Sequence, residues 1–245
     1  VYYHPRALAN LIQVAGDTLR EGGHLYYLGQ GNCGIIGTID ASECPPTFGA
    51  KYDEIRGFIH KGWIGMLGRE VEKPDWRYHI DVEVFFDTVF PTLTEKDLVL
   101  LTGQGNDTDY LKTLYPRLSG TPAKVGAILI QPAQSLPEVK IGVEIPVSVS
   151  GFFKAHPCYL ELALKFCLNL TTTGGHVLKG KVYQNRMIDL NISNNKLFYR
   201  TLGIIESLIG VDTETAREAL LQSIYDTENV TDELRETPVS KHIDQ

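Results

Sequence analysis

The sequence predicts an α/β fold: a mostly parallel sheet flanked by helices and followed by a small helical segment. Short apolar runs such as HLYYLG, DLVLLTG and KVGAILI recur with amphipathic stretches between them, the alternation that builds parallel sheets covered on both faces. A glycine-rich turn, GQGNCG, leaves one such run and enters a helical stretch, giving strand, loop and helix in the order of a sheet-top binding loop. From Pro157 onward the pattern is wholly helical.

Each element follows from its own pattern. In residues 5–23, Leu8, Leu11, Ile12, Ala15 and Leu19 fall at helical intervals between an opening Pro5 and a closing Gly22-Gly23. A buried strand over 24–29 and a helix from the glycine turn to about Ser42 come next, the helix ended by Pro45-Pro46 because neither proline is expected to continue it. A second strand is placed at 54–60, and 61–78, with Gly, Pro and Trp but no period, reads as an exposed loop. Residues 81–93 read as an amphipathic helix, 97–103 as a strand leading into the loop GQGNDTD, and 109–118 as a short helix. Two further strands fall at 124–130 and 139–147. The tail reads as a long helix from 157 to about Asn191, then helices at 196–210 and 213–225, the last capped by Asp212 or Thr213. Domains are accordingly drawn at 1–192 and 193–245.

Composition excludes several functions. With 23 basic against 30 acidic residues and a net charge of −7, neither nucleic acid nor an anionic membrane is expected as a partner. No apolar run approaches the roughly 18–20 residues that span a bilayer, and no signal peptide is read. Cys33, Cys44, Cys158 and Cys167 lack CxxC spacing and read as reduced thiols. The seven histidines show no metal-ligand spacing, so neither a metal nor a cofactor is expected. Four N-x-S/T sequons read as chance occurrences. A chain that opens on Val1 and stops at KHIDQ reads as a piece of a longer protein.

Gly29, Gly31 and Gly34 spell G-x-G-x-x-G, a turn whose backbone N–H groups face an anion beside a helix N-terminus. A dinucleotide site would want an acidic residue after the next strand, whereas Asp53 and Glu54 precede it. The second loop has Asp107 and Asp109 where phosphate would be repelled, with Thr102 and Thr108 as donors. Both loops also fit ordinary sheet-top turns. Glu43 stands just before the Pro-Pro pair, a carboxylate held in one place as a ligand contact or general base requires. In SNNK (193–196) side-chain amides and an ammonium meet at a helix start, which suits a sugar hydroxyl and phosphate or, equally, a simple cap by Ser193 or Asn194.

GQGNCGIIGTIDASECPPTFGA together with TTTGGHVLKGKVYQNRMIDLNISNNKLFYR resembles the sugar isomerase (SIS) domain family of the N-acetylmuramic acid 6-phosphate etherases and glucokinase regulatory proteins. The likeness runs in order from about residue 10 to 230 and implies a flavodoxin-like three-layer SIS domain followed by the start of a helical lid. It implies sugar-phosphate contacts from Glu43, Asn194, Lys196 and Arg200, further loop contacts from Gly31, Asn32 and Thr102, and a kinase-facing surface at Asp107, Val147 and Val149. Where the etherases carry hydroxyl-rich phosphate loops and a lysine, this chain has NCG, GQGNDTD and GFFKAHPCYLELALK. The resemblance therefore implies a non-catalytic sensor of fructose 6-phosphate and fructose 1-phosphate that controls a hexokinase-type, glucokinase-like enzyme. It also implies a cytoplasmic or nuclear location and a second SIS domain, in the same chain or a dimer mate, supplying the phosphate cradle. Glu43 and Lys196 are then expected to converge on one carbohydrate. The alternative is an etherase-type lyase or sugar-phosphate isomerase acting as a homodimer, with Glu43 as acid/base.

Overall fold

The computed structural model describes residues 5–133, 136, 139, 141–146 and 158–243. The chain divides into two compact units, the first formed by Val1–Cys44 with Lys51–Gly180, the second by Pro45–Ala50 with Lys181–Gln245.

The first unit holds five strands: β1 (Leu25–Gly29), β2 (Ile55–Ile59), β3 (Leu98–Gln104), β4 (Lys124–Ile130) and β5 (Ile141–Ile145). They pair in the order β2-β1-β3-β4-β5, every pair parallel. All five residues of β1 are buried, as a strand covered on both faces demands. Alternation sends successive side chains to opposite faces. Tyr26 and Leu28 enter a core with Phe58, Phe85, Leu111 and Leu114, whereas Tyr27 points to the other face, where its hydroxyl donates to Asp40.

That second face is covered by α1 (Pro5–Arg20), α2 (Gly31–Phe48) and α6 (Cys158–Lys179). Small residues allow the helices to close up. A Cβ on Gly16 would meet Leu178 at 2.5 Å, and one on Gly174 would meet Ile12 at 2.5 Å. The opposite layer holds α5 (Thr108–Leu114) and a mixed helical run, opened by α4 (Val82–Val84), turning to π geometry over Phe85–Val89 and to 3-10 over Phe90–Thr92. The expected amphipathic helix at 81–93 is thus present with an irregular backbone. Within the expected loop at 61–78 a short helix, α3 (Gly62–Leu67), forms after two left-handed residues, Lys61 and Gly62.

Two helix ends differ from expectation. Pro45 and Pro46 lie inside α2, which runs on to Phe48. Their fixed φ is compatible with a helix. What they remove is two N–H donors near its end, and one further turn survives because Gly49 N–H donates to the Pro45 carbonyl at 3.1 Å. Gly49, at φ 61°, then closes the helix in the left-handed conformation. At the other end of the fold α6 stops at Lys179 instead of reaching Asn191, with Gly180 at φ 87°. The following residues pair as a hairpin, β6 (Val182–Tyr183) with β7 (Arg186–Met187), across Gln184 and Asn185, both at positive φ, as a two-residue primed turn requires.

The second unit combines this hairpin with α7 (Asn195–Ile209), α8 (Thr213–Tyr225) and α9 (Asp232–Glu236). Phe198, Leu202, Ala216, Leu220, Leu221 and Val230 form its core. Asp212 caps α8 by accepting from Thr215 N–H, one of the two caps the sequence offers. The segment 45–50 belongs here through the Asn191 N–H, which donates to the Pro46 carbonyl.

Candidate functional site

Above the C-terminal edge of the sheet, β1 passes through Gln30 into α2. A Cβ on Gly29 would sit 2.5 Å from Thr102 Oγ1 and one on Gly34 2.9 Å from the Gly29 carbonyl, so glycine lets helix, strand and neighbouring strand approach closely. Gly31 and Asn32 stand exposed at the start of α2, and the Asn32 amide donates to Glu161. Thr102, by contrast, is buried, and its hydroxyl donates to the Leu28 and Cys33 carbonyls. That hydroxyl ties β3 to the β1–α2 turn.

Asp107, at the end of the 3-10 turn Gly105–Asp107 in the second loop, turns its carboxylate toward the first. It accepts from the Gln30 amide at 2.9 Å, the Cys33 thiol at 3.4 Å and Gln104 N–H at 3.4 Å. The glycine turn that reads as an anion cradle thus faces a carboxylate of the chain itself. Burial together with Asp107 pushes the Cys33 thiol far above its ordinary range, which leaves it inert as a nucleophile.

One residue beyond the reach of any local motif organises the far end of α2. Lys165, on α6, places Nζ 3.0 Å from Asp40 Oδ1 and 3.0 Å from Glu43 Oε2. The Asp40 side chain is 1% exposed, that of Lys165 30% and that of Glu43 56%. Burial lifts the Asp40 carboxyl above the usual range, and Lys165, Thr172 and Tyr27 offset only part of this. Burial also works against the Lys165 ammonium, yet the two carboxylates outweigh it and hold its pKa above that of an ordinary lysine. Glu43 is therefore an exposed carboxylate with one oxygen fixed from below and the rest of the group presented outward. Asp40 and Lys165 are missing from the residues singled out in the sequence. Their signal is faint: a second acid three residues before Glu43 on the same helix, and an isolated lysine in ALKFCL.

In the second unit Asn194 is the N-cap of α7. Its Oδ1 accepts from Leu197 N–H at 3.0 Å, leaving the amide nitrogen to serve another acceptor. Lys196 and Arg200 follow on the same helix, four residues apart and both exposed, so that two cations share one helix face. Val147 and Val149 lie outside the described residues. Among the described residues no group of three His, Cys, Asp or Glu side chains is arranged to hold a metal ion, and no helix is long and apolar enough to cross a membrane.

Residues 2–179 match the family described as the second SIS domain of glucokinase regulatory protein. The chain belongs to the glucokinase regulatory protein family. Residues 184–245 match that family's C-terminal lid domain. Glucokinase regulatory protein of Xenopus laevis is 29% identical over 257 residues, and that of Rattus norvegicus 31% over 259, each alignment covering 99% of this chain and 41% of the relative. The chain thus spans about two fifths of the length of these relatives. An N-acetylmuramic acid 6-phosphate etherase of Crocosphaera subtropica is 34% identical over 218 residues, covering 88% of this chain and 70% of that protein. The expected resemblance to both branches of the SIS family is thereby met, and the five-stranded parallel sheet between helical layers is the fold it implied.

Proposed function

We propose that this chain is the sugar-contacting part of a non-catalytic regulator of a glucokinase-like enzyme, responsive to fructose phosphates. The observation that carries this reading is Glu43: an exposed carboxylate immobilised by Lys165, suited to accept hydrogen bonds from sugar hydroxyls. Lys196 and Arg200, together with the Asn194 amide, supply donors of the kind that a sugar oxygen or phosphate takes. The glycine turn faces Asp107, and Thr102 spends its hydroxyl within the fold, so the phosphate is gripped by a second SIS domain, in the same chain or a partner. Gly31 and the Asn32 side-chain oxygen would offer secondary contacts, the Asn32 amide nitrogen being engaged with Glu161.

Fructose 6-phosphate and fructose 1-phosphate would then act as rival ligands, each favouring a different state of the regulator. A ligand moves such an equilibrium only by its differential affinity for the two states. The kinase would dock on the loop that Asp107 braces, in the cytoplasm or nucleus, with Val147 and Val149 as further candidate contacts. Calorimetry of the full-length protein with each sugar phosphate tests the reading. Binding of both, weakened about ten-fold by Glu43→Gln through loss of a charge-assisted hydrogen bond, supports it. Silence with both sugars overturns it.

A further inference from the structure

We infer that Lys165 is a positioning residue for the ligand contact of Glu43, an inference that rests on the functional reading above and adds a residue to it. Asp40 and Glu43 project from the same side of α2, three residues apart, and the Lys165 ammonium reaches both at 3.0 Å from α6. A buried carboxylate such as Asp40 needs a counter-charge, and Lys165 would meet that need by itself. The second contact does something else. An exposed glutamate at a helix surface samples several rotamers, and a ligand that uses it must first halt that motion. Here one Glu43 oxygen is tied to an ammonium that is itself tied to the core through Asp40 and, beyond it, the Tyr27 hydroxyl.

The chain of contacts runs from the sheet to the surface: Tyr27 on β1, Asp40 on α2, Lys165 on α6, Glu43 at the rim. Such pre-ordering favours binding because the conformational cost is met on folding and not on association. It also removes repulsion between two like charges on one helix face. Lys165 acts through Glu43, so its influence on the ligand must vanish when Glu43 loses its charge.

The test is a double-mutant cycle on the full-length protein, reading the dissociation constant for fructose 6-phosphate by calorimetry and the melting temperature in parallel. Glu43→Gln and Lys165→Met are each expected to weaken binding about ten-fold. The double variant is expected to bind no more weakly than Glu43→Gln alone, and Lys165→Arg to recover most of the affinity because a guanidinium can bridge both acids. Should Lys165→Met fail to fold for want of a partner for Asp40, Asp40→Asn with Lys165→Met removes both buried charges and is expected to show the same weakened binding. Wild-type affinity in Lys165→Met overturns the inference, as does a roughly hundred-fold, additive loss in the Glu43→Gln/Lys165→Met double, which would mean that Lys165 meets the ligand directly. If the wild type binds no fructose phosphate, the functional reading falls and the inference with it. If Glu43→Gln weakens binding and Lys165→Met does not, only the inference falls.

Discussion

The Gln30 amide donates to the Asp107 carboxylate across 2.9 Å, joining the two loops at the top of the sheet. Replacing Asp107 by Ala strands the Gln30 amide and the Gln104 N–H, which shares the same carboxylate. A loss of about 1–3 kcal/mol follows from unsatisfied donors in a half-buried site. Asn at this position keeps a carbonyl oxygen and is expected to lose less. Urea unfolding midpoints of the two variants give the comparison, and equal stability of Asp107→Ala and wild type would remove the bracing role.

Strong acid should weaken the base of the sheet. Asp97, buried, accepts from His24 N–H at 2.8 Å, His24 Nδ1 at 2.9 Å, Thr94 N–H at 2.6 Å and Thr94 Oγ1 at 2.9 Å. Burial alone would raise its pKa, but the four donors reverse this and hold it below the ordinary value. The unfolded chain therefore binds this proton more readily, so the stabilisation is full above about pH 4 and is lost as pH falls through the lower, folded-state pKa. Asp97→Asn removes this dependence. Its unfolding free energy, followed from about pH 5 down to about pH 2, on either side of the reference carboxyl value, should fall less steeply than that of wild type.

Much of the fold is legible because parallel strands buried on both faces leave near-continuous apolar runs. DLVLLTG and KVGAILI name β3 and β4 almost to the residue. Helix ends are harder. Pro45-Pro46 carries a strong stop signal, yet a proline pair near a C-terminus removes only two hydrogen bonds, and packing of Phe48, which is buried, outweighs them. The helix expected to run to Asn191 gives way to a hairpin because Gly180 precedes two residues that accept positive φ. Within the candidate site Glu43 and the Asn194 cap are legible from neighbouring residues. Lys165 is not, since its partner Asp40 lies 125 positions away and no local spacing links them.

Gly57 marks where β2 meets α2. A Cβ there would lie 2.5 Å from Thr38 Cα and 2.6 Å from Thr38 N, backbone atoms that cannot swing aside. Gly57→Ala must push the helix that carries Asp40 and Glu43 off the sheet, and overpacking of this kind costs about 1–3 kcal/mol or more. Thermal denaturation should show a lowered melting temperature. An unchanged one would contradict the close approach.

The second unit has its own pH sensitivity. His242 is buried, stacks on Phe198 at 5.8 Å, meets the Tyr225 hydroxyl at 2.8 Å and faces the Thr237 carbonyl at 3.2 Å. Desolvation, with a lesser push from Arg217, outweighs the Thr237 contact and lowers its pKa. The folded form thus prefers the neutral ring. Between the lowered folded value and the unfolded value near 6.5 the unfolded chain holds more protons, so stability declines as pH drops below about 6.5. His242→Gln should flatten that decline in denaturant titrations at a series of pH values, and a decline of unchanged slope would assign it to another group.

The etherase relatives make catalysis the sharpest rival reading, and the first unit bears on it directly. Ether cleavage in a sugar phosphate needs the phosphate seated so that the reacting carbon meets the acid/base carboxylate. Glu43 is present, but its fixed oxygen is bound to Lys165 at 3.0 Å, and the glycine turn that would seat a phosphate faces the Asp107 carboxylate through Gln30 and Cys33. A second anion there meets repulsion in place of a cradle. The full-length protein incubated with N-acetylmuramic acid 6-phosphate should therefore release no lactate above the uncatalysed background, while still binding fructose phosphates. Lactate release that disappears in Glu43→Gln would establish the enzyme instead, with Glu43 as its acid/base group and Lys165 as the cation beside it.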